Sequence, residues 1–294
     1  MNEYPYHKID TFTSGKSSGN PAACIYLKDS QSLTEQEMQE IARQHKGFVS
    51  EVIYCRNVGR KHYGLAYYSS ECEVDFCGHG TIACMYSLIK GTPDLSEEKE
   101  IMIHTVKKGA MTVYNKIAEQ DAVYITAPVP VYHSCSISRE QIAKHLGVEE
   151  AQISVQYPIE LVNAGLNTLI VPITSLGELT IIYPKEQSLK QFCLENVIDI
   201  ILIFTMETDQ KDCYAHTRVF APKFGYLEDP ATGSGNSAFG YYMKSHSMWG
   251  GSPITIEQGG SDITYNSVKL EYTDNRLLFG GSATERIVGK YLMP

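Results

Sequence analysis

Alternation of apolar and polar side chains organises the first third of the chain. Tyr4 to Ile9 and Ala22 to Lys28 read as strands, joined over residues 11–20 by a polar loop rich in turn formers. Phe48-Val-Ser-Glu-Val-Ile-Tyr54 predicts another strand, with Val49, Glu51 and Ile53 on one face and Phe48, Ser50, Val52 and Tyr54 on the other. Before it, Thr34-x-x-Glu37 is a capping box for a helix reaching His45, with Leu33 and Met38 spaced as a staple. Strand 62–69 then runs into Cys77-Gly-His-Gly80 and a helix over 81–89 closed by Lys90-Gly91. Strands 100–106, 110–117 and 122–127 follow, and Pro128-Val-Pro130 reads as a linker.

The second half repeats the plan. Ser138-x-x-Gln141 caps a helix stopping at Gly147, residues 161–173 give a strand, a turn and a strand, and Ser188-x-x-Gln191 caps a helix before strand 199–205. Strand 213–220 leads to Glu228-Asp-Pro-Ala-Thr-Gly-Ser-Gly235 and an apolar helix in which Ala238, Phe239, Tyr242 and Met243 recur at helical spacing. Strands after Pro253 end at 277–281, and the tail 282–294 is expected to return to the first half. Sliding back by 155 residues lays Thr232-Gly-Ser-Gly-Asn-Ser-Ala238 on Cys77-Gly-His-Gly-Thr-Ile-Ala83, and Tyr241 on Tyr86. The matches are two glycines, an alanine and a tyrosine, which fix a turn and the packing of a helix. Coincidence and an ancient duplication with two equivalent helix starts both fit this match.

Candidate chemistry clusters at those starts. Glu51 is a lone carboxylate in a strand apolar on both sides, where desolvation should raise its pKa toward the working range of a general acid and base. The alternative is a structural ion pair. His79 falls in a first helical turn, where the dipole should favour neutral imidazole, either contacting substrate or capping its own helix. Gly233 and Gly235 leave first-turn amides open to a carboxylate, with Ser234 and Asn236 among them. Asp229 precedes a proline and is expected extended, aimed at a ligand or capping the turn at Thr232.

Gly19-Asn20-Pro21, Ser50-Glu51, Cys77-Gly78-His79-Gly80-Thr81, Arg218-Val-Phe-Ala-Pro222 and Glu228 to Gly235 lie in order along nearly the whole chain, and together they resemble the signature blocks of the PhzF-like phenazine-biosynthesis proteins. The resemblance implies the diaminopimelate epimerase-like α/β fold: two pseudo-symmetric halves, each a curved, mainly antiparallel sheet around one central helix. The expected bounds are 1–127 plus 282–294 for one half and 128–281 for the other. It implies a cofactor-independent isomerase moving a proton between carbons of a small carboxylate substrate held between the two helix starts. Glu51, His79, Asp229 and Ser234 would form its catalytic set, and Asn20, Cys77, Gly78, Gly80, Thr232, Gly233 and Gly235 would contact substrate. A cytoplasmic homodimer is the implied assembly. Gly80, where many relatives have alanine, and Ser50-Glu51-Val52, in place of Ser-Glu-Thr, depart from the pattern.

Composition narrows the alternatives. A formal charge of −9 and scattered cations leave no basic footprint for nucleic acid. No run is long and apolar enough to predict a membrane helix, and Met1 to Tyr6 opens no signal peptide. The 8 cysteines are spread through apolar segments, as expected of reduced cytosolic thiols. Lys16 lacks the glycine spacing of a phosphate loop, and Cys72, Cys77 and His79 match no zinc pattern, so no metal or cofactor is expected. Two rivals stand beside the isomerase. In one, Cys77 is the base of an epimerase, although Thr232 stands where a second thiol would be needed. In the other, the helix starts clamp a small anion without catalysis.

Overall fold

The computed structural model describes residues 2–261 and 263–293. Met1 and Pro294, which close the expected bounds, lie outside the described residues. The chain forms two compact units, Met1–Ile125 with Gly280–Pro294, and Thr126–Phe279.

The first unit opens with antiparallel β1 (Asn2–Thr11) and β2 (Asn20–Leu27). Helix α1 (Glu35–Gln44) crosses to β3 (Glu51–Gly59), which runs parallel to β2, and β4 (His62–Ser69) returns antiparallel to β3. After the short β5 (Glu73–Val74) come α2 (Gly78–Gly91), the single-turn α3 (Pro93–Ser96) and β6 (Glu100–Thr105), parallel to β4. Strand β7 (Gly109–Lys116), α4 (Ile117–Gln120) and β8 (Ala122–Thr126) continue the sheet antiparallel.

The second unit contains β9 (Val131–His133), α5 (Arg139–Leu146), β10 (Glu160–Asn163) and β11 (Asn167–Pro172). Helices α6 (Leu176–Ile181) and α7 (Glu186–Glu195) cross to β12 (Ile200–Thr205), parallel to β11, and β13 (Ala215–Phe220) returns antiparallel. Strand β14 (Glu228–Asp229) precedes α8 (Gly233–Ser245) and β15 (Ile254–Gln258), parallel to β13, then β16 (Asn266–Thr273) and β17 (Arg276–Gly281). β18 (Ala283–Met293) pairs antiparallel with β1 and so belongs to the first unit.

The two units share one wiring. A parallel strand pair bridged by outer helices, an antiparallel return, a two-residue strand and a central helix leading to a second parallel pairing occur in the same order in each. Helices α2 and α8 start 155 residues apart, and their caps have nearly the same backbone: φ −127, ψ 107 at Cys77 and φ −120, ψ 107 at Thr232. This correspondence favours duplication over coincidence.

Alternation decides what meets each central helix. In the first unit Ala23, Ile25, Val52 and Tyr54 pack with Ile41 and Ala42 of α1. The opposite parity, Glu51, Ile53 and Cys55, therefore faces α2, whose Ile82, Ala83, Met85 and Ile89 are buried. In the second unit Leu169, Val171, Ile201 and Ile203 pack with α5 and α7, while Phe204 turns to α8, with its ring 4.6 Å from Phe239. The capping boxes expected at Thr34 and Ser138 both form.

Several boundaries differ from expectation. β3 begins at Glu51, not Phe48: the left-handed Gly47 ends α1 in a turn, and the first ladder partner across from β2 is Ala22 with Glu51. Phe48 is left 49% exposed. Ser188 does not cap a helix: α7 starts at Glu186, just after Pro184, and the Ser188 hydroxyl meets His145 Nδ1 at 3.0 Å. Helix α6, capped by Ser175 on the Glu178 amide, has no counterpart in the sequence reading.

Candidate active site

In the first unit three reactive side chains converge where β3 passes the start of α2. Cys77 is the N-cap, and its thiol sulfur accepts the Gly80 amide at 3.3 Å. That close approach places Sγ 3.6 Å from Glu51 Oε2 and 3.5 Å from His79 Nδ1, while His79 Nε2 lies 3.2 Å from Glu51 Oε2. The side chains of Glu51 and His79 are only 20% and 14% exposed, so their pairing is little screened. The carboxylate oxygen, thiol and ring nitrogen lie within 4.8 Å of one another, compact enough for a single metal ion.

Mutual pairing reverses both expectations about charge. Burial is the largest influence on Glu51 and raises its carboxyl, but the His79 charge, the His79 hydrogen bond and the Cys77 thiol together hold it below the usual 4.5. For His79, burial is again the largest influence and lowers the imidazole, yet Cys77 and Glu51 lift it well above 6.5. The pair is therefore a carboxylate facing an imidazolium. Desolvation does not raise Glu51 here, and the helix dipole does not keep His79 neutral, because a partner a hydrogen bond away outweighs both. Cys77 is pushed up by burial and by Glu51, more than His79 and the Gly80 amide pull it down, so it remains a thiol.

A buried hydroxyl chain fixes this geometry. Tyr67 bonds Thr81 Oγ1 at 2.7 Å, and Thr81 donates to the Cys77 carbonyl at 2.8 Å. Thr11 donates to the His79 carbonyl at 3.0 Å. Asn20, 3% exposed, pairs with Thr11 across the β1–β2 ladder. Gly80 is required by packing: a Cβ there would stand 2.6 Å from Ile53 Cδ1 and 3.0 Å from Cys77 Sγ. Gly78 is the first residue of α2.

The second unit builds the equivalent start differently. The Thr232 hydroxyl does not cap α8 but donates to Asp229 Oδ2 at 2.6 Å, and it accepts from Gln258 Nε2 at 3.2 Å. Gln258, fully buried, also accepts the Thr232 amide and Asn236 Nδ2 and donates to the Asp229 carbonyl. Asp229 thus receives a side-chain hydroxyl in place of a backbone cap. Glu228, its neighbour, forms a two-bond pair with Arg218, whose other arm donates to the carbonyls of Leu179, Thr180 and Ile182. Both glycines serve packing. A Cβ at Gly233 would lie 2.3 Å from the Phe279 ring, and one at Gly235 3.2 Å from Ile200. Ser234 is partly exposed in the first turn of α8.

Glu51, Cys77 and His79 therefore come together in one unit, and Asp229 and Thr232 in the other. Sequence reasoning missed Tyr67, Thr11, Thr81 and Gln258, which hold them. A glutamine in phase with Ile254 and Ile256 of β15 was the available signal, because an amide on an apolar face must find partners.

Comparison with known proteins places the chain by family and fold. The family described as phenazine biosynthesis-like protein (PhzC-PhzF) matches residues 9–286. The uncharacterized isomerase YfhB of Bacillus subtilis is 32% identical over 279 residues, 93% of this chain and 92% of its own. A trans-2,3-dihydro-3-hydroxyanthranilate isomerase of Pseudomonas fluorescens is 25% identical over 86% of this chain and 85% of its own. Among solved structures, a PhzF-family protein of Bacillus anthracis superposes with a TM-score of 0.85 over 100% of both chains at 24% identity. A hydroxyproline epimerase of Agrobacterium vitis gives 0.60 over 99% of this chain and 91% of its own at 11% identity. These two structures show the fold: paired halves of the epimerase-like α/β class.

Proposed function

The chain belongs to the phenazine biosynthesis-like family, and from that premise we propose that it is a cofactor-independent isomerase moving a proton between two carbons of a small carboxylate-bearing substrate. The observation that carries the reading is the 3.2 Å pairing of Glu51 with His79 at the start of α2. The carboxylate is kept ionised and largely out of water, so it is ready to accept a proton, and its basicity toward a C–H bond rises when substrate takes over the His79 N–H. In the proposed cycle Glu51 takes the proton, and the C–H electron pair moves into the adjacent π system. Protonating Glu51 cancels half of its ion pair, which frees the His79 N–H to face the negative charge developing on substrate oxygen. Glu51 then returns the proton to a different carbon, so atoms and electrons balance without an oxidant.

The remaining roles follow the family pattern. Asn20, Gly78 and Gly80 contact substrate in the first unit. In the second, Asp229 and Ser234 orient a substrate group, Gly233 and Gly235 present first-turn amides to an anion, and Thr232 contacts substrate from the cap position. Cys77 as the base is the weaker reading, since its buried thiol is held protonated and its counterpart Thr232 has its hydroxyl engaged with Asp229 and Gln258. We propose a cytoplasmic homodimer as the working form.

The test is solvent deuterium incorporation, read by mass spectrometry, into a panel of small amino and hydroxy carboxylates that includes trans-2,3-dihydro-3-hydroxyanthranilate. Label is expected with the native protein and not with Glu51→Gln. Label that survives Glu51→Gln but disappears in Cys77→Ala would transfer the chemistry to the thiol.

A further inference from the structure

We propose that the far end of α2 carries a second binding site, for a hydroxylated primary amine of the amino-sugar class. A cavity of about 580 Å³ opens there, between the last turns of α2, the β1–β2 loop, the turn after α4 and the start of β18. That size is usual for a small-ligand pocket. Its walls all belong to the first unit. Lys90 on its rim lies about 16 Å along the helix axis from His79, so the cavity is separate from the cluster at the start of α2.

The lining selects the ligand. Among the described residues Ala283 is the one aliphatic side chain there, and Lys90 Nζ covers the Tyr86 ring at 4.7 Å from its centroid, so an aromatic ligand has no surface on which to stack. Hydroxyls and charges remain. Thr13, Tyr86 and Ser87 form a buried floor, where the Thr13 and Thr284 hydroxyls meet at 2.9 Å. Lys90 donates to the Tyr86 hydroxyl at 2.9 Å, which donates to Asp121 Oδ1 at 2.5 Å; Ser87 donates to Glu285 Oε1 at 2.6 Å, where His7 Nδ1 also bonds. Each carboxylate thus spends one oxygen on the protein and keeps the other, Asp121 Oδ2 or Glu285 Oε2, for a ligand. Burial raises the Glu285 carboxyl, but the bonds from Ser87 and His7 and the charges of His7 and Lys90 hold it below 4.5, so it is ionised. Two carboxylates against one ammonium leave the lining net negative, and the negative end of the α2 dipole adds to it. A cation is therefore drawn in. Lys90 retains N–H groups beyond the one given to Tyr86, and these suit hydroxyl oxygens. A sugar bearing one ammonium group meets both demands, with its amine on the carboxylates and its hydroxyls on the floor and Lys90.

Saturation-transfer NMR titrations with glucosamine, glucose and glucose 6-phosphate test this. Glucosamine should bind the native protein at least about tenfold more tightly than glucose, with glucose 6-phosphate weakest. Asp121→Asn suits the left-handed backbone at that position (φ 49, ψ 50), and Glu285→Gln keeps an acceptor for Ser87. Each should weaken glucosamine binding by at least about tenfold, with circular dichroism and thermal melting checking that both variants are folded. Glu51→Gln should bind glucosamine as the native protein does. A native protein that does not take up glucosamine, that prefers glucose 6-phosphate, or whose affinity survives both Asp121→Asn and Glu285→Gln would overturn the proposal. Loss of binding in Glu51→Gln would overturn it too, by moving the ligand to the other end of α2. No turnover is read, so the result stands or falls separately from the isomerase reading.

Discussion

Glu51 Oε2 and His79 Nε2 stand 3.2 Å apart, one from the first residue of a strand and the other from the first turn of the helix behind it. Each holds the other in its charged form against burial. The proposed base and its proposed electrophilic partner are thus one ion pair, and disturbing either alters both.

His79→Gln keeps a hydrogen-bond donor at that place and removes the cation. Deuterium incorporation should fall roughly 10²–10⁴-fold. With burial no longer opposed by His79, the Glu51 carboxyl should titrate higher, so the acidic limb of the pH–rate profile should move to higher pH. An unmoved limb would mean that Glu51 is not the group titrating.

Gly80→Ala places a methyl against Ile53 and Cys77. Crowding of this kind costs about 1–3 kcal/mol. Ile53→Ala removes both Cδ1 and Cγ1, which the methyl would meet at 2.6 and 2.8 Å, so Gly80→Ala should cost less in that background than in the native chain when read by urea unfolding. Additive losses would show that the clash is relieved elsewhere.

Gly233→Ala should be the more damaging glycine substitution. The methyl would enter the face of Phe279, 2.3 Å from Cε2, in a core where Phe279 is only 3% exposed. Phe279→Leu in the same chain should restore part of the melting temperature, whereas Phe279→Leu alone should lower it.

A second carboxylate predicts a pH dependence of stability. Glu257, fully buried, accepts from His216 Nδ1 at 2.7 Å and from the amides of Asp209 and Gln210. Burial raises its carboxyl, but these bonds outweigh burial and hold it below 4.5. A folded value below the unfolded one adds stability that is complete above 4.5 and is lost as pH falls through the folded value. Glu257→Gln should therefore cost roughly 1.5–3 kcal/mol near neutrality, as expected for hydrogen bonds to a charged group, and the gap from the native protein should narrow in urea titrations as pH falls below about 4.5.

Much of this was legible in local sequence. The Thr34 and Ser138 caps, the parity that sends Glu51 and Ile53 to the same face, and the 155-residue echo all act over a few residues or through one repeated turn. Long-range pairing was not legible. The charge state of Glu51 depends on His79, 28 positions away, and the conformation of Thr232 on Gln258, 26 positions away. Phe48 looked like a strand residue because its pattern fits one, yet a strand also needs a partner, and the ladder to β2 begins only at Glu51.

The pairing of β18 with β1 has a consequence for how the molecule is made. Asn2 lies opposite Met293 in that ladder, and the whole of the second unit is encoded between the two strands. During synthesis the second unit is therefore complete on the ribosome while the first still lacks β18. Closing the first sheet is thus a contact of very large sequence separation, and the docking of β18 onto β1 should be a late step in folding.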